Sequence, residues 1–131
     1  DEKNLGFSSI SPTWLPTDGD FASLAVDRQE TDQSSPLEIC RRLLAWRREH
    51  PAFRGGNVEI FDVDDPVLAF HRRRNDDSII AAYNLSPDEI SLPRAALPPF
   101  QPDDPTGFAA RPKGDTIALP PFGFLLGRAS T

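Results

Sequence analysis

Three pairs of adjacent carboxylates stand out in the sequence, Asp64-Asp65, Asp76-Asp77 and Asp103-Asp104. Two carboxyl groups do acid/base or nucleophilic work when a substrate fits between them, and a retaining glycosidase holds its pair roughly 5–5.5 Å apart. These pairs are sequence neighbours in turn-like segments, where Asp ordinarily closes a turn on its own backbone. His50 and His71 are the two histidines. No Cys or carboxylate stands at metal-ligand spacing from either, and His50 reads as a charge at the C-terminal end of a helix. There is no G-x-S-x-G nucleophile elbow and no Gly-rich phosphate loop. Trp14, Trp46 and Tyr83 are of the type that stacks on sugar rings, but Trp46 follows the apolar face of a helix, where packing is its use. Taken alone, the residues support no catalytic, cofactor-binding or metal site.

The bulk properties narrow the class further. The chain has 131 residues, 38% hydrophobic and 26% charged, with a net charge of −6. That balance suits a globular chain and disfavours a nucleic-acid or anionic-membrane partner. The Arg clusters at Arg41-Arg42, Arg47-Arg48 and Arg72–Arg74 are local and read as solvated faces. No apolar run is long enough to span a membrane. Cys40 is the one cysteine, so no internal disulfide can form. It falls on the apolar side of a helix and is expected to be a small buried hydrophobe. A reducing, cytoplasmic setting is expected, and no signal-peptide pattern is visible. There is no Met, and the sequence starts mid-pattern at Asp1, so a processed or excised piece is expected.

The elements that must position any site fall into two kinds. Residues 1–33 carry few periodic apolar positions, and "SPTWLPTDGD" reads as an ordered or wrapping loop. A loop of that length is long for an independent domain, so Trp14, Leu15 and Phe21 are expected to pack on something outside the chain. A helix follows over about 35–50. Ser35 suits its N-cap, Pro36 its first position and Glu38 the capping box. Leu37, Ile39, Cys40, Leu43, Leu44 and Trp46 share one half of the helical wheel, and Glu38 and Arg42 are spaced i,i+4. Pro51 ends the helix. Arg47 lies among the apolar positions, which is costly unless it meets a carboxylate or carbonyls; a partner is expected from the first 33 residues or from elsewhere in the parent.

After Gly55-Gly56 the period changes to two. "NVEIFDV", "VLAFHRR", "SIIAAYNL", "EISL", "GFAAR", "DTIAL" and "FGFLLGR" are the expected strands. Both faces of the third are apolar, so it is expected to be central and covered on both sides. Residues 93–105 are Pro-rich and cannot form central strands. Short strands with frequent turns indicate an antiparallel sandwich.

In series, these stretches resemble the C-terminal end of the α-glucosidase group of the α-amylase family of glycoside hydrolases (family 13). The group's "N-x-G-F" corresponds to Asn4-Leu5-Gly6-Phe7, its "P-W-L-P" to Thr13-Trp14-Leu15-Pro16, and its "L-x-V-x-x-Q" to Leu24 through Gln29. Its "R-R-L-L-x-L-R-R-x-H-P-A-L" helix corresponds to Arg41 through Phe53. Then come "V-L-A-F-x-R" at Val67 to Arg72, "N-L-S" at Asn84-Leu85-Ser86, and "L-P-P-Y-G" at Leu119-Pro120-Pro121-Phe122-Gly123. Thr13, Trp46 and Phe122 depart from the usual Pro, Leu and Tyr, and residues 87–112 match poorly.

The resemblance implies an α+β fragment: the last loop and helix of a (β/α)8 barrel in residues 1–54, then a C-terminal antiparallel β-sandwich in residues 55–131, with Pro51 to Gly56 as a hinge. It implies a retaining mechanism whose nucleophilic Asp, acid/base Glu and supporting Asp lie on earlier barrel strands, so no catalytic residue, cofactor site or metal site is assigned here. The expected function is that of a structural segment of an α-glucosidase acting on terminal α-linked glucose in maltose- or sucrose-type oligosaccharides. The expected partners are the missing N-terminal barrel and, through it, the α-glucoside substrate; an isolated piece is expected to self-associate. Two alternatives stand beside it: the tail of a trehalulose or trehalose synthase or an amylosucrase-like transglycosylase, and a free-standing carbohydrate-binding module using Tyr83, Phe61, Phe70, Phe122 and Phe124.

Overall fold

The structure, a computed structural model, describes residues 3–6, 8–16 and 18–130. Asp1 and Phe7 of the stretches quoted above lie outside the described residues. The chain forms two compact units, residues 1–42 and 43–131.

In the first unit, 3-10 turns at Lys3–Gly6 and Gly19–Leu24 precede a short helix α1 (Val26–Gln29) and the start of α2 (Pro36–Glu49). Ser35 caps α2 as expected, its hydroxyl accepting from the Glu38 N–H at 3.2 Å. The reciprocal half of the capping box is not made. The Glu38 carboxylate accepts from Arg41 at 2.6 Å, an i,i+3 pair, and Arg42 donates to the Gln33 carbonyl at 2.9 Å. The Ser35 N–H donates instead to the Asp32 carbonyl at 3.0 Å, and the Gln29 side chain accepts a second free N–H of the first turn, that of Leu37, at 3.0 Å.

In the second unit, α3 (Ala52–Gly55) leads into strands β1 (Asn57–Ile60), β2 (Val67–Arg74), β3 (Asp77–Asn84), β4 (Ile90–Pro93), β5 (Phe100–Pro102), β6 (Pro112–Lys113), β7 (Thr116–Leu119) and β8 (Phe124–Ala129). They make an antiparallel five-stranded sheet, β1-β2-β3-β8-β5, and a three-stranded sheet, β4-β7-β6. β3 is central, as its two apolar faces demand. Ile80 and Ala82 face the second sheet in a core with Val67, Ala69, Leu92, Phe100, Ile117, Leu119 and Leu125. Ile79 and Ala81 face the other way and pack with Leu126, Trp46 and Ala52. The Pro-bearing β5 sits at a sheet edge, where a missing N–H costs no ladder bond.

Two expectations are corrected. "GFAAR" is not a strand: residues 107–111 are irregular, because the Asp104 carboxylate accepts the N–H groups of Thr106, Gly107 and Ala109 and withholds them from a ladder. Trp46, Ala52 and Phe53 all pack on the sheet. Nor is Pro51–Gly56 built as a loose hinge. Its residues form α3, with the Ala52 N–H bonded to Asp77 at 2.8 Å, and a Cβ on Gly56 would lie 2.6 Å from the Arg73 carbonyl oxygen.

Candidate functional site

The carboxylates that drew the first attention are spent on the fold. Asp64, Asp65 and Asp76 are exposed in or beside turns. Asp77 opens β3, and the alternation of the strand aims it at the face that carries Trp46. There it accepts His50 Nδ1–H at 2.9 Å as well as the Ala52 N–H. Asp103 follows β5 and reaches the same face, accepting Arg128 Nε–H at 2.8 Å. His50 lies between them, only 2% exposed, with Nε2 at 3.4 Å from both Asp103 Oδ2 and Arg128 Nη2. The bond to Asp77 requires a proton on Nδ1. His50, expected as a charge at the helix end, is a buried linchpin between the end of α2, strands β3 and β8, and Asp103 just after β5.

Burial pushes the Asp103 carboxyl up, but the Arg128 guanidinium, the nearby Trp46 indole N–H and His50 together hold it below the ordinary carboxylate value. The indole N–H falls short of hydrogen-bond geometry and has no other acceptor. Asp104 behaves alike for a different reason: burial raises it, and the Thr106 hydroxyl with three backbone N–H groups outweighs that. Charges neutralised in this way position a fold rather than attack a substrate.

His71, buried in β2, has its Nε2 2.7 Å from Ser78 Oγ and its Nδ1 3.9 Å from Glu59. Burial first, then Arg73, lower its pKa, with Glu59 opposing. The group rims a cleft of about 440 Å³ with Phe61, Arg73 and Asn75. The Glu59 carboxylate is too distant to orient the ring, so no nucleophilic triad is assembled. Among the described residues, no group of three or more His, Cys, Asp or Glu side chains could hold a metal ion, and no helix is long and apolar enough to cross a membrane.

Two of the stretches that carried the family resemblance meet at one side chain. Asn84 is 2% exposed. Its amide donates to the carbonyls of Asp88, Leu119 and Pro120 at 2.6, 3.3 and 2.9 Å, and its oxygen accepts the Ser86 N–H and hydroxyl at 3.0 and 2.8 Å. "N-L-S" and "L-P-P-F-G" are thus the two sides of one lock, closed further by the Asn84 N–H to the Gly123 carbonyl at 2.9 Å.

The first unit offers a surface of another kind. Leu5, Leu15, Pro16, Phe21, Leu24 and Val26 line an open apolar cleft of about 460 Å³, and Trp14 is 96% exposed. Cys40 is exposed, against the expectation of burial. So is Arg47 in this segment; the partner expected for it is a matter for the intact parent.

No protein-family model matches the chain. Individual proteins do. A probable α-glucosidase of Rhizobium meliloti (strain 1021) is 31% identical over 123 residues, which is 94% of this chain and 22% of that protein. A trehalose synthase/amylase of Mycobacterium tuberculosis (strain ATCC 25618 / H37Rv) is 30% identical over 139 residues, covering 94% of this chain and 23% of that protein. Among solved structures, an α-glucosyl transfer enzyme superposes with a TM-score of 0.79 at 30% identity, over 89% of this chain and 22% of that chain. The chain spans 22–23% of the length of these curated relatives.

Proposed function

The chain belongs to the α-amylase family of glycoside hydrolases as a C-terminal part of such an enzyme, and from that premise we propose that its parent is a retaining α-glucosidase. The parent removes terminal α-linked glucose from maltose- or sucrose-type oligosaccharides. The observation that supports this is the 31% identity to a probable α-glucosidase along 94% of the chain. The family resemblance implies that the carboxylates for the chemistry come from barrel strands that precede this segment; the commitment of Asp77, Asp103 and Asp104 to internal partners is in keeping with that. Residues 1–54 complete the barrel, with α2 as its last helix, and the sandwich of residues 55–131 caps it.

The segment contributes rigidity. The His50 cluster ties the end of the helix to the sheet, and the Asn84 lock closes the far end of the sandwich. Both networks lie within the second unit. Full-length protein should release glucose from p-nitrophenyl α-glucoside, and the 131-residue segment should not. Release by the segment alone would place the chemistry wrongly.

A second reading has its own support, since the relatives include a trehalose synthase/amylase and an α-glucosyl transfer enzyme. Product analysis on sucrose and maltose separates the two. Free glucose as the main product supports hydrolysis; a new disaccharide supports transfer.

A further inference from the structure

The face of the five-stranded sheet that carries the sandwich core changes character toward the β2–β3 turn. Ile80 on that face belongs to the core. Register puts Glu59 and His71 in its row, and Arg73 and Ser78 in the next. The apolar row thus gives way to four polar side chains from three strands. They line a cleft of about 440 Å³ whose apolar wall includes Phe61 and Pro98. That volume falls in the range of small-molecule sites.

A strand end that merely met water would need no buried polar group. His71 is 6% exposed, and one of its two ring nitrogens is unspent. Nε2 lies 2.7 Å from Ser78 Oγ. Whichever of the two carries that proton, Nδ1 is left over, as a donor in one tautomer and an acceptor in the other. The Glu59 carboxylate is 3.9 Å from it, too far for a hydrogen bond, and a hydroxyl in the cleft has room to reach both. Among the described residues, the sealed side-chain atoms without a partner are Trp46 Nε1 and Arg72 Nε. Nδ1 is not one of them, so it opens to the cleft. The Phe61 ring lies within 21° of parallel to the imidazole, 6.4 Å between centroids, and Ser78 pins Nε2. The ring is therefore held in place before a ligand arrives. Buried polar groups are ordinarily satisfied, and an unspent nitrogen on a fixed ring beside a cleft points to a ligand.

The charges select its class. Glu59 and Asp76 stand against Arg73 around the cleft. Burial and Arg73 hold His71 below its ordinary pKa, so the ring is neutral at neutral pH. Two carboxylates oppose an anion, and the guanidinium beside the imidazole opposes a cation. A carboxylate that accepts, a guanidinium that donates and an imidazole that does either suit neighbouring hydroxyls. Phe61 and Pro98 suit the C–H face of a ring. We propose that this cleft binds a neutral sugar of monosaccharide size, with one hydroxyl between His71 Nδ1 and Glu59 and the next on Arg73. The site does not depend on which reaction the parent catalyses.

Equilibrium dialysis of full-length protein against labelled D-glucose, at high protein concentration, tests this on the unaltered sequence, Glu59→Ala and Arg73→Ala. Both side chains are exposed and outside the core, so the fold survives their loss, and thermal unfolding checks that it does. Each variant should hold one equivalent fewer than the unaltered protein, or bind that equivalent at least about ten-fold more weakly. Glucose bound elsewhere in the parent contributes equally to all three and cancels. Equal stoichiometry and affinity in all three would overturn the proposal. Inorganic phosphate bound in place of glucose, and lost in Arg73→Ala but not in Glu59→Ala, would overturn it in favour of an anion site. Glucoside hydrolysis is read on the same samples. Intact hydrolysis with no difference in glucose binding sinks the cleft alone, and the expected difference without hydrolysis in any of the three sinks the α-glucosidase reading alone.

Discussion

His71 and Asp103 lie on opposite faces of the same sheet, and acid acts on them in different windows. The folded-state pKa of His71 is depressed, so as pH falls from its ordinary value of about 6.5 the unfolded chain takes up the proton first, and stability is lost. The carboxyls of Asp103 and Asp104 are also depressed. Their contribution is complete above the ordinary carboxylate value of about 3.9 and disappears as pH falls through the lower folded values. Denaturant titrations between neutral pH and pH 3 should therefore show two losses of stability. His71→Gln should remove the upper one and leave the lower; an unchanged upper loss would refute the assignment. Asn84→Ala should cost about 3 kcal/mol in the same measurement, because it strands several buried carbonyls at once. The "N-L-S" stretch was visible in the sequence. The roles of His50, Asp77 and Asp103 were not, because their partners lie on separate strands and adjacent acidic residues look alike in any turn.

At the scale of elements, period and capping gave the helix and the central strand correctly, since both depend on local pattern: Ser35 and Pro36 for α2, two apolar faces for β3. The failures share a cause. "GFAAR" has strand-like composition, but the Asp104 carboxylate, three to five residues earlier, captures its N–H groups. Pro51–Gly56 has hinge-like composition, but the β3 residue Asp77 and the Arg72 side chain, donating to the Phe53 and Gly56 carbonyls at 3.3 Å, hold it down. The link between helix and sandwich should thus behave as a stiff joint. Gly56→Ala, forced against the Arg73 and Ala52 carbonyl oxygens, should destabilise the protein by roughly 1–3 kcal/mol. It should also raise protease cleavage between Pro51 and Asn57; a variant as stable and as resistant as the parent would restore the hinge.

For the whole molecule, the mismatch between apolar surface and available cover decides behaviour. Trp14, Ile10, Leu15 and Phe21 in the first unit, and Val58 and Ile60 in the second, are all more than half exposed. A segment of 131 residues made without the rest of its parent should self-associate, seen in sedimentation velocity as mass that grows with concentration. A monomer at all concentrations would contradict this. Composition could announce the surplus, through Trp14 and Phe21 in a loop without a core, but it could not reveal which face of the sheet stays bare, because that depends on the pairing of β1 with β2.

The strand order has a consequence for synthesis. β8 pairs with both β3 and β5, so the main sheet stays in two parts until residues 124–129 have left the ribosome. β1, β2 and β3 form a hairpin series that emerges early, with one flank of β3 unsatisfied and Ile79 to Ala82 open on that side. The protein must wait in that state while β4 to β7 are translated. A stop codon just before Phe124 would remove no group assigned to chemistry, yet it should leave a nascent chain that cannot close its sheet and is cleared by proteolysis.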